Sequence, residues 1–260
     1  MKYLDELKKE AEERKQQEAL ETQSKLSALG QNFMQLQAKL REIYAYLDEL
    51  VKQLNVVKPT VLRSYYLEGL GNFEGLHQKE YALNKTHKSI DNKDFIDTIT
   101  LRFKCTAEGA LSTEKDTPGL TKTMCEYLWD FNIKFELQEM KNQRGFVERA
   151  VFKVPREVPV TVAFNGDLER STIKIQVKNL ERLSESTFSY EIDEINEQLL
   201  DEFSKLLVGK PNHFRQLGKH QSATRIPLSK ISILDTQYKI EQEPEAKKGL
   251  LGSIKNKFFS

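Results

Sequence analysis

From Leu26 onward the apolar residues fall at Leu26, Leu29, Phe33, Leu36, Leu40, Ile43, Leu47, Leu50 and Leu54. The spacing alternates between three and four, which is the a/d seam of a coiled coil. No proline or turn cluster interrupts residues 3–54, and Leu, Lys, Glu, Gln and Ala dominate them, all good helix formers. Asn55 and Pro59 mark the stop. The spacing therefore predicts one long helix over 1–58 whose nine seam residues drive self-association into a dimer or higher oligomer. The flanks of the seam depart from the usual Glu/Lys pattern. Tyr44 and Val51 widen the apolar stripe near its end, and Gln37, Asn32, Lys39 and Tyr46 stand where charges are expected. The helix thus meets either a globular region there or a bundle of more than two helices. Upstream of Leu26 the register fades, because Ala19 continues it and Glu12 does not. Leu4, Leu7 and Ala11 form a separate short stripe on a helix that is otherwise solvated.

Residues 59–208 read as a single α+β domain. Ile99, Leu101, Phe103 and Cys105 alternate with Thr and basic residues, the signature of a half-buried strand. The same alternation recurs at Ile133–Leu137, at Ala150–Val154 and at Val160–Phe164, then at Ile173–Val177 and in "TFSYEI". "NQRG" suggests a hairpin turn, and a second pairing is expected across Gly166–Asp167. Two amphipathic helices are expected. One runs over about 120–131 with Leu120, Met124, Leu128 and Phe131 inward. The other runs from Asp193, as N-cap, to Gly209, with Ile195, Leu199, Phe203 and Leu206 inward. Together these predict a two-layer antiparallel sheet/helix domain. "TVLRSYYL" reads as a strand, and the Gly-rich polar stretch after it reads as a long loop.

Residues 209–248 are punctuated by Pro211, Pro227 and Pro244 and lack helical periodicity, so they read as a basic, mostly flexible linker. Residues 249–260 carry the second informative pattern. On a helical wheel Leu250, Leu251, Ile254 and Phe258 share one arc, with Lys255 and Lys257 at its edges and Phe259 beside it. This is an amphipathic helix suited to an anionic membrane surface or to a groove on a partner protein. A weak helix of this kind gains from being joined to copies of itself.

Composition narrows the function classes. Lys+Arg 40 against Asp+Glu 39 leaves a net charge of +1, which counts against a general nucleic-acid binder. Cys105 and Cys125 are the two cysteines, no CxxC occurs, and four histidines stand in polar contexts, so no metal site is expected. Gly69, Gly71 and Gly75 have neither the spacing nor the following Lys and Ser/Thr of a phosphate loop. The acidic start excludes a signal peptide, and no run reaches the length of a membrane span. The expected location is cytoplasmic, with attachment at the inner face of a membrane as an extension of that reading. No catalytic residue, cofactor or metal ligand emerges. The reading is an oligomeric adaptor. Its rivals are a small-molecule-sensing domain, which needs a cavity between sheet and helices, and an enzyme without a recognisable motif.

Overall fold

The computed structural model describes residues 2–90, 93–167, 170–217 and 220–225. It is α+β, with helices and a curled antiparallel sheet. Helix α1 runs from Lys2 to Val57, about 84 Å at 1.5 Å per residue. The strands are β1 (Leu62–Leu67), β2 (Gly71–Ile90), β3 (Lys93–Lys115), β4 (Glu136–Lys141), β5 (Val147–Asp167), β6 (Thr172–Lys178), β7 (Glu185–Glu191) and β8 (His220–Arg225). Helix α2 (Pro118–Asp130) follows β3, and α3 (Glu197–Leu207) follows β7. All pairings are antiparallel, in the order β1-β2-β3-β5-β6-β7-β8, with β4 paired to β5.

One face of this sheet is apolar across its width. Ile99, Leu101, Phe103 and Cys105 on β3 lie opposite Phe164, Val162, Val160 and Val158 on β5. Ile173, Ile175 and Val177 extend the same face through β6, and Phe188 and Tyr190 through β7. Helix α3 fills the middle of this face. The Phe203 ring meets Phe164 edge-on at 5.5 Å and leans on Phe214 at 5.5 Å. Burying each such side chain is worth about 1.5–3 kcal/mol.

The second half of α1 joins the same core. Leu36, Leu40, Ile43, Leu47, Val51 and Leu54 are buried, and they belong to one cluster with the sheet and α3. The core therefore runs across the expected boundary at residue 58. Approach is closest at Gly166, where a Cβ atom would stand 2.7 Å from Leu36 Cδ2. The Gln37 carboxamide donates to the Ile96 carbonyl and accepts from the Ile96 amide, both at 2.9 Å. Asn55 donates to the Tyr81 carbonyl at 2.8 Å. These bonds dock the helix along β2 and the start of β3.

Several expectations are corrected. The long loop expected after β1 is instead a long strand, β2. A register break between Lys79 and Ala82, with Glu80 at φ 60°, disrupts its alternation and hid it. The two strands expected on either side of Pro155 are one strand, β5. The register break with β3 falls opposite Pro155 and Glu157, so the ladder absorbs a residue that cannot donate. Helix α3 starts later than expected. Asn196 is its N-cap, accepting from the Leu199 amide, while Asp193 lies in a 3₁₀ turn over Ile192–Glu194. The expected linker begins as folded chain: Phe214 is fully buried against Phe188, Tyr190 and Phe203, and β8 pairs with β7. The amphipathic segment 249–260 lies outside the described residues.

Candidate functional site

The nine seam residues divide into groups with different surroundings. Leu36, Leu40, Ile43, Leu47 and Leu54 are covered by the chain's own sheet and α3, and Leu50 is half-buried beside them. They are not open to a second helix in this arrangement. Phe33 is half-buried, with its ring edge-on to Phe95 at 4.5 Å. The side chains of Leu26 and Leu29 lie outside the described residues. Upstream, every side chain from Lys8 to Ser24 is exposed. Lys9–Glu13 and Arg14–Glu10 ion pairs at 3.9 and 2.8 Å decorate this stretch at i,i+4 spacing, as suits a helix solvated all round. The molecule therefore presents a body and an arm.

Polar groups do enter the interior; several find partners there, while Arg63 Nε, Thr172 Oγ1 and Asn179 Oδ1 find none among the described residues. The Arg63 guanidinium donates to the carbonyls of Leu206 and Leu207 at 3.2 and 3.1 Å, and Gln78 donates to Leu207 at 3.1 Å. These bonds satisfy the last carbonyls of α3, which have no intrahelical donors. The Tyr65 hydroxyl donates to the Asn179 and Leu180 carbonyls, with Cys105 Sγ at 3.3 Å. Burial raises the Tyr65 phenol far above its ordinary value, and it pushes Tyr81 up to about 12. Burial also raises both Cys105 and Cys125, which keeps them as thiols. His77, His87 and His213 are exposed on the outside of the body. Among the described residues, no three His, Cys, Asp or Glu side chains come together as metal ligands.

The interior between sheet and helices is filled by Phe73, Phe103, Phe164, Phe203 and Phe214, all at most 2% exposed. Two apolar surface features stand out among the described residues. The first is an open apolar groove of about 550 Å³ where α1 ends, lined by Leu50, Leu54, Val57, Val61 and Val208. The second is an exposed aromatic patch where α2 meets β4. Trp129 is 63% exposed and Leu137 38% exposed. The Trp129 and Phe135 rings lie 6.0 Å apart, and Phe135 lies 5.5 Å from Phe152, which is paired with Leu137. Helix periodicity gives Trp129 no inward place. The available signal was its place off the Leu120–Met124–Leu128 stripe of α2, on the side facing solvent. The groove at Val57 had no sequence signal, because it forms only when α1, β1 and α3 come together. Among the described residues no helix is long and apolar enough to cross a membrane.

No family model, no curated protein and no solved structure matches this chain.

Proposed function

We propose that the protein is a non-catalytic adaptor: a packed body that holds out a helical arm on one side and carries an amphipathic segment, Gly249–Ser260. The observation that carries this reading is the division of α1. A helix anchored by Leu36–Leu54 keeps every side chain from Lys8 to Ser24 in solvent, and so reaches tens of ångströms beyond its anchor. Such an arm has no use in a site that transforms a small molecule, but it sets a distance between two attached objects.

Self-association on this reading uses the start of the seam, Leu26, Leu29 and the outer side of Phe33. Two or three apolar residues per chain make a weak coiled coil. That suits an adaptor whose second contact, the Gly249–Ser260 helix, is also weak alone and gains from being doubled. The lysines beside its apolar arc favour an anionic membrane surface, with a protein groove as the other occupant. The location that fits is the cytoplasm, at the inner face of a membrane.

Light scattering of the wild type and of a Leu26→Asp/Leu29→Asp variant tests the arm. The reading expects an oligomer that falls to monomer while the melting temperature holds. A wild-type monomer at about tens of micromolar, a range in which weak coils form, refutes self-association. Flotation with anionic vesicles tests the segment. Binding should weaken in high salt and vanish with Ile254→Asp.

A further inference from the structure

We infer that residues 22–32 form a hinge in α1, about which the arm turns on the body, and that pairing with a second copy of the chain sets the arm's direction. The second clause rests on the self-association proposed above; the hinge itself does not. Helix chemistry, an unforced glycine and the end of the sheet's support meet in this one stretch.

Every residue from Lys8 to Glu21 is Lys, Glu, Ala, Arg, Gln or Leu, and every residue from Met34 to Glu42 is one of those or Met. These are the strongest helix formers. Between the two runs stand Thr22, Ser24, Ser27, Gly30 and Asn32, all from the weaker half of the scale. Short hydroxyl and amide side chains compete for the backbone of a helix. Thr22 does so here: its Oγ1 donates to the Glu18 carbonyl at 2.8 Å. Bonds of this kind loosen and bend a helix.

Gly30 is not demanded by its surroundings. It is helical and exposed, and a Cβ there would meet nothing within 4 Å. Gly166 is the contrast, because Leu36 leaves it no room for a side chain. With neither a close approach nor a positive φ to require it, the glycine's effect at position 30 is on the helix itself. It loses the most backbone freedom on being ordered, so it is the place where the helix opens at least cost.

Tertiary support ends at the same level. Asn55, Gln37 and Phe33 meet Tyr81, Ile96 and Phe95 in turn, so the β2–β3 hairpin runs along α1 toward its N-terminus. The ladder's last pair, Ile90 and Lys93, lies two residues beyond Phe95. Two strand residues cover roughly 7 Å, or between four and five residues of helix, which brings the hairpin's end about level with Gly30. The helix thus leaves the sheet where its own sequence is weakest. The arm has a set length and a variable direction. Leu26 and Leu29 fall inside the hinge, so a second chain paired with them also holds it straight.

Spin-label distance measurements on the full chain test this. One label pair spans the hinge, Glu13→Cys with Asp193→Cys, and a control pair stays on the anchored side, Arg41→Cys with Asp193→Cys; all three positions are exposed. Asp193 lines the same groove as Gln35, so a straight helix puts the spanning pair about 33 Å apart along its axis. Cys105 and Cys125 are buried, and label uptake by the unsubstituted chain checks that they stay unlabelled. The chain is held monomeric by dilution or, where it stays associated, by Leu26→Asp/Leu29→Asp. The hinge predicts a broad distance distribution for the spanning pair and a narrow one for the control. Gly30→Ala should cut the share of bent conformers about fivefold and leave the melting temperature in place. A spanning pair as narrow as the control overturns the hinge, and so does a broad one that Gly30→Ala leaves unchanged. Adding unlabelled wild-type chain to dilute labelled chain should narrow the spanning pair as light scattering reports association. Association without narrowing overturns the second clause. A broad pair that Gly30→Ala narrows, in a chain that stays monomeric throughout, upholds the hinge and refutes self-association instead.

Discussion

The two halves of α1 share one backbone geometry and one class of residue, yet they live in different solvents. From Lys8 to Ser24 every side chain faces water, while Leu36, Leu40, Ile43 and Leu47 are at most 3% exposed. A three-four repeat states only that a helix has an apolar stripe. What occupies the stripe is decided by its flanks. Downstream of Phe33, the flanking Gln37 and Val51 are buried and Tyr44 is half-buried, so the stripe is wide enough to lie on a sheet. Upstream of Leu26 the corresponding positions are charged or polar, and the helix stands on its own ion pairs.

The largest expected effect separates the halves by stability. Ile43→Ala removes a side chain that is fully buried, and it should cost about 2–5 kcal/mol in denaturant unfolding. Leu20→Ala, at a position 67% exposed, should stay within about 0.5 kcal/mol. Equal effects at the two sites would erase the distinction.

A smaller effect probes the polar part of the docking. Gln37→Ala strands the Ile96 amide and carbonyl in a buried place, at a cost of about 1–3 kcal/mol. Gln23→Ala, on the solvated half, should change nothing measurable.

The helix pattern, most of the strands and the inward residues of the sheet were legible because period two and period 3.6 survive wherever one side is buried and the other wet. The exceptions have local causes. β2 escaped notice because a register break and two glycines at positive φ, Gly71 and Gly75, interrupt its alternation. Phe214 is a single aromatic in a polar run, and one residue has no period. The fate of Leu36–Leu54 was half legible: Tyr44 and Val51 signalled a broad contact, but nothing local says whether the surface opposite is a sheet or another helix. The Trp129 patch depends on β4 folding back beside α2, which no spacing encodes.

Acid should weaken a particular contact of the body. Lys205 and the His213 amide hold the Glu202 carboxyl below the usual carboxylate range, and this bond ties the Phe214 segment to α3. A lowered value in the folded state means that the contribution is complete above the unfolded value, about 4.5, and is lost as pH falls through the folded one. Thermal melts on the acid side should therefore decline less steeply in Glu202→Gln than in the wild type. Parallel profiles would show that the bond is not linked to folding.

The smallest effect belongs to the arm itself. Glu10→Gln should lower helicity by no more than the roughly 0.2–0.5 kcal/mol of one i,i+4 pair, and it should leave the melting of the body unmoved.

Amide hydrogen exchange along α1 tests the division most directly. The account predicts that Leu36–Leu54 exchange only when the whole body unfolds, and that Lys8–Ser24 exchange through local opening close to zero free energy. A step in protection between the two, located near Phe33, is the expected result. Uniform protection from Lys8 to Leu54, or loss of protection at Leu36–Leu54 under native conditions, would contradict it.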